Sequence, residues 1–193
     1  MDKENEARGR YGYIDAHRKS QLLKTVVSGA IVLALLILGV IIFGTKKNWL
    51  MIPAMLMVIP TANFFVGFAA FAKFRTAPKE KYEILGNFEN QDMLLSDLIL
   101  VDAKGKRMPV EFAVVYKNGV VAWSSYCGKR FRPEDAEIPV NDVLKRRGIP
   151  MRMKLFSNWE EFLTRIDQVE TAEGDSELRR VDLAKEAVIS VSM

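Results

Sequence analysis

The chain holds one cysteine and one histidine, Cys127 and His17. A lone thiol forms no internal disulfide, which fits a reducing compartment. A lone imidazole has no second His or Cys beside it with which to hold a metal or run nucleophilic catalysis. The sequence also has no phosphate-cradling lysine loop, no GxGxxG, no HExxH, no CxxC and no Asn-x-Ser/Thr acceptor. No cofactor and no catalytic residue is therefore assigned from motifs.

Charge is missing too, but only locally. Thr25 to Gly44 is 20 residues long and Trp49 to Ala72 is 24, and neither run contains Asp, Glu, Lys or Arg. A helix rises about 1.5 Å per residue, so roughly 20 residues cross a hydrocarbon layer of ~30 Å. Only Thr45, Lys46, Lys47 and Asn48 separate the runs, which leaves room for a tight turn and nothing more. The expectation is a transmembrane hairpin (25–44 and 49–72) after a cytoplasmic flank (1–24). A linker (73–81) and a cytosolic α+β domain (82–193) follow it.

Basic residues set the expected orientation. Arg8, Arg10, Arg18, Lys19 and Lys24 precede the first run, Lys73, Arg75, Lys79 and Lys81 follow the second, and two lysines lie between. Both termini are expected in the cytoplasm of a cell with an inner membrane. The first run exceeds a typical signal-peptide core and no small-x-small cleavage site follows it, so it reads as an uncleaved anchor. From Lys73 onward the chain carries 20 basic and 20 acidic residues. The net charge of +4 therefore belongs to the membrane flanks, and a nucleic-acid partner is not expected. The expected partners are the lipid bilayer and a protein of unknown identity.

Residues 1–10 read as disordered. Tyr11, Ile14, Arg18 and Leu22 then recur at helical spacing, either as an interfacial helix or as a plain topology-setting flank. In the two spans, Ala30, Ala34, Pro60, Asn63 and Gly67 are the candidates for helix packing. The small residues permit close approach, Pro60 kinks its helix, and Asn63 would bond a carbonyl freed by the kink or the first span.

Past the linker, an ambiguous stretch at 82–91 precedes strands at 93–101, 108–116 and 120–124. Asn118-Gly119 has the composition of a type I′ turn, which makes the three strands an antiparallel meander. A short helix at 139–147 and a fourth strand at 149–156 follow. Ser157 opens a capping box with Glu160, and Trp159, Phe162, Leu163 and Ile166 form the inward stripe of the next helix. Glu177 to Ala187 is the last helix, with Leu178, Val181 and Leu183 or Ala184 inward, and 188–193 is an apolar tail or edge strand. Lys129, Arg130, Arg132, Arg146, Arg147 and Arg152 are the candidates for a basic contact face.

The order strand, strand, strand, helix, strand, helix, with Asp97 or Asp102 late in the first strand and Glu111 inside the second, resembles the PD-(D/E)xK nucleases. The resemblance implies paired carboxylates that hold a divalent metal, polarise a phosphate and activate water. In that family a lysine lies two residues after the Glu. Here that place is Ala113, and Lys117 comes six residues on. As a whole the chain resembles small bacterial membrane proteins with two adjacent N-terminal spans and a cytosolic α/β tail.

Overall fold

The computed structural model describes residues 8–44, 49, 51–102, 104–169 and 174–193. The expected turn at 45–48 lies outside them. The described chain forms two compact units, residues 14–75 and a second unit that joins residues 8–13 to 76–193.

The first unit contains two helices, α1 (Tyr13–Phe43) and α2 (Met51–Phe71), both long and apolar enough to cross a membrane. At 31 residues α1 is about 46 Å long, so the basic flank and the apolar run share one continuous helix. The less exposed positions on α1 recur as Gln21, Thr25, Ser28, Val32, Leu35 and Gly39, and on α2 as Ala54, Met57, Thr61, Phe64, Phe68 and Phe71. Alternating steps of three and four mark one seam along each helix. A side chain at Gly67 would meet Gln21 within 3.2 Å, so glycine admits that long polar residue. His17 reaches Gln21 (3.3 Å) and packs on Phe71. Of the expected packing residues, Gly67 lies against the first helix, whereas Ala30, Ala34 and Asn63 are exposed. They occupy positions off the seam, because spacing within one helix cannot say which face meets the other.

The second unit is a four-stranded mixed sheet in the order β1 (Leu94–Val101), β2 (Arg107–Tyr116), β3 (Gly119–Trp123), β4 (Arg152–Phe156). The first three strands are antiparallel, and β4 runs parallel to β3. Two short helices, α3 (Lys79–Ile84) and α4 (Gly86–Asn90), precede the sheet. Helix α5 (Pro133–Arg146) makes the crossover from β3 to β4, and α6 (Trp159–Ile166) and α7 (Asp175–Ser190) follow. One face of the sheet is covered by Ala136, Val140 and Leu144 of α5 with Val181, Ala184, Ala187 and Val188 of α7. The other holds Phe112, Val114, Val121 and Trp123 against Phe162 and Ile166 of α6, with Leu85 and Met93.

Several expectations need correcting. The β2–β3 loop is Lys117-Asn118, Gly119 already pairs with Tyr116, and neither loop residue has positive φ. The turn is not type I′. Gly119 is required for space: a Cβ there would lie 2.9 Å from the carbonyl oxygen of Arg152 on β4. The crossover helix starts at Pro133, six residues earlier than expected, because proline at its first position suits a helix start. The cap of α6 is Asn158, whose side chain accepts the Glu160 N–H, and not Ser157. On α7 Leu178 and Leu183 face outward, while Val181, Ala184, Ala187 and Val188 face the core. The tail pairs with β1 through a single bridge, Leu100 to Ser192.

Both outer edges of the sheet are closed. Along β1, the Ser96 N–H donates to Gly9 O (2.7 Å), the Val101 N–H to Val191 O and the Met193 N–H to Ile99 O. Gly9 and Arg10, expected in a disordered stretch, thus belong with the sheet. Along β4, Asn141 of α5 bonds both the N–H and the C=O of Met153, and Glu137 accepts the Leu155 N–H. Such coverage removes the backbone template that an exposed edge offers to other chains.

Candidate functional site

The three acidic candidates enter the fold differently. Met108 and Val110 lie in one core, Phe112 and Val114 in the other, and Ala113 and Val115 in the first again, so the alternation slips by one residue at Glu111. Strand β1 slips opposite it. The ladder passes from Ser96–Phe112 to Leu98–Val110, and Asp97 between them has φ 55°. A positive φ in a non-glycine residue turns the strand over locally, and Asp tolerates it better than most. Asp97 and Glu111 therefore occupy facing positions left out of the ladder, and both are buried.

Their carboxylates go to different partners. Asp97 accepts the Gly12 N–H (2.8 Å) and the Thr76 hydroxyl (2.8 Å). It ties the segment before α1 and the segment after α2 to the same strand. Glu111 accepts the Ser125 N–H. Burial pushes its pKa up, opposed by that N–H and by the charges of Lys81 and Lys129. Asp102 lies about 16 Å further along β1. It accepts the Lys104 and Lys106 N–H groups (2.8 Å each) and closes the β1–β2 turn. The three acids do not converge, and among the described residues no group of three metal-ligating side chains is found.

A residue type that motif reading passed over stands beside Glu111. The Lys81 ammonium sits over two indoles, 4.0 Å from the Trp123 ring centre and 4.7 Å from that of Trp159. The two rings meet edge to face at 4.9 Å, and Phe112 and Phe162 continue the aromatic cluster. The Trp123 indole nitrogen is buried with no hydrogen-bond partner among the described residues. The sequence placed Trp159 in the inward stripe of its helix but did not pair it with Trp123, since the two are 36 residues apart and on different elements.

The basic candidates split. Lys129, Arg130 and Arg132 precede α5, while Arg146 and Arg147 end it and Arg152 opens β4. A 14-residue helix puts about 20 Å between the two groups, so they form no single face. Arg130 stacks on Tyr126, and Lys106 pairs with Asp135 (2.6 Å), holding that carboxyl below its usual range. Burial pushes the Cys127 thiol up, away from the thiolate form. Shallow hollows are lined by Lys154, Phe156, Thr164 and Arg165 (about 710 Å³) and by Asn141, Lys145, Ile149 and Arg152 (about 660 Å³). A third (about 460 Å³) is walled by Tyr11 and Tyr82, stacked at 4.0 Å, with Glu89 and Asp92. Burial and a hydrogen bond with Glu89 raise Tyr82 to about 12. Glu111 lines none of these three hollows.

Comparison with protein-family models, curated proteins and solved structures returns no match to this chain.

Proposed function

We propose that the chain is an integral membrane protein whose two apolar helices cross the inner membrane of a bacterial cell and hold the sheet unit at the cytoplasmic leaflet as a protein-binding module. One observation carries the hairpin reading. Gly9 and Gly12 precede α1, Thr76 follows α2, and all three are hydrogen-bonded to β1. Segments that share one folded unit lie on one side of a bilayer, so the chain between them crosses it an even number of times. The excess of Lys and Arg beside that unit favours the cytoplasmic side. Strand addition is disfavoured by the covered edges, which leaves helix faces such as those presenting Ile84 and Ile138 for a partner.

The test uses Asn48→Cys and Ser157→Cys in intact cells. An impermeant maleimide is expected to label the first directly and the second only after the membrane is opened; the converse pattern overturns the orientation. Ser157 serves better than the native thiol, because Cys127 is buried. A photo-crosslinker placed at Ile138 is expected to trap a discrete protein adduct, and its absence counts against the binding role.

A second reading, a membrane-tethered enzyme acting on lipid-linked or nucleotide substrates, draws support from the surroundings of Glu111. The ammonium charges missing at position 113 act on it from Lys81 and Lys129, and the Trp123 N–H has no acceptor. Such a donor set suits an anionic group.

A further inference from the structure

We infer that the chain self-associates within the bilayer through the outer face of α2, with Asn63 of one copy bonded to Asn63 of the next. The inference rests on the membrane reading above. Helix α2 runs from Met51 to Phe71, so Asn63 lies two residues, or about 3 Å, from its midpoint. That places the amide near the centre of a ~30 Å hydrocarbon layer, too deep for so short a side chain to reach either interface. The other small polar side chains described within the two charge-free runs satisfy themselves. Thr25 donates to Gln21 O, Ser28 to Thr25 O and Thr61 to Met57 O. Asn63 makes no side-chain hydrogen bond among the described residues, and it is exposed on the face away from α1.

The surroundings of Asn63 repeat regularly. Ile52, Leu56, Ile59 and Val66, each more than half exposed, lie with it at alternating steps of four and three. This is a heptad stripe, with β-branched residues at 52, 59 and 66 and with Leu56 and Asn63 at the alternate position. A single Asn in such a stripe fixes register between helices. An amide carries donors and an acceptor, so two of them side by side satisfy each other reciprocally. A second copy inserted in the same orientation brings its own Asn63 to the same depth without further adjustment, which singles out this chain as the occupant.

The test uses the full chain in native membrane vesicles, with Cys127→Ala and single cysteines along α2. Alkaline carbonate is applied first: extraction of the chain overturns the membrane reading and this inference with it. With the chain retained, mild oxidation is expected to give homodimers at Ile52→Cys, Leu56→Cys, Ile59→Cys and Val66→Cys, and little at Met55→Cys, Val58→Cys or Phe65→Cys. Asn63→Leu is expected to raise the dissociation constant in micelles roughly three- to thirtyfold, and Asn63→Gln to preserve association. Retention without homodimers, adducts only to other proteins, or dimers indifferent to Asn63→Leu would overturn the inference and leave the hairpin standing.

Discussion

Glu111 holds its carboxyl in a place that favours the protonated form, with the Ser125 N–H and side chain and the charges of Lys81 and Lys129 set against the larger cost of burial. When burial raises a carboxyl's pKa in the folded state, that state binds its proton more tightly than the unfolded chain does. Stability then falls as pH climbs from the unfolded value of 4.5 through the raised one. Glu111→Gln keeps the acceptor for Ser125 and removes the charge. Its unfolding midpoint should match that of the parent below pH 4 and exceed it at pH 7, as read by tryptophan fluorescence in denaturant. A parent curve that rises with pH in that window would refute the assignment. Gly119 shows the other side of residue-scale reading. Its composition signal located the β2–β3 hairpin correctly, but the reason for glycine is a neighbouring carbonyl 33 positions away, which no local pattern contains.

Among the elements, the crossover helix α5 does two jobs. Ala136, Val140 and Leu144 seal one core, while Glu137 and Asn141, one turn apart, reach over to the free edge of β4. Removing the amide strands an N–H and a C=O of Met153. Asn141→Leu should therefore cost about 1–3 kcal/mol of sheet-unit stability and raise the tendency to aggregate through the opened edge. Asn141→Asp, which keeps the acceptor, should recover part of the loss. Equal midpoints for Asn141→Leu and the parent in a denaturant titration would show that the edge is satisfied in another way. Strands β1 and β2 were legible because their residues are almost wholly apolar and bounded by turn residues. The start of α5 was not, since a proline at 139 inside the helix resembles a beginning.

For the molecule as a whole, the consequential join is between the segment before α1 and strand β1. Gly9 to Gly12 run along β1, and Tyr11 stacks on Tyr82 and donates to Ala77 O (2.9 Å). A chain lacking residues 1–12 should keep its apolar helices and lose sheet-unit stability, with faster amide exchange at Ser96 than at Val114. Unchanged exchange at Ser96 would show that the strap contributes nothing. For the same reason a fragment starting at residue 82 is not the native domain. It lacks the strap and leaves the Asp97 carboxylate without Gly12 and Thr76.

The amino-acid order alone determined the two long helices, the antiparallel meander and the order of the helices and strand that follow it. Those features depend on neighbours within a few residues, through hydrophobic period, missing charge and turn chemistry. Contacts between distant segments decided the rest: the closure of both sheet edges, the divergence of Asp97, Asp102 and Glu111, the lysine seated on Trp123 and Trp159, and the face on which Asn63 lies. Each of these depends on which surfaces the backbone brings together, and a one-residue slip at Asp97 and Glu111 is enough to send a side chain to the opposite side of the sheet.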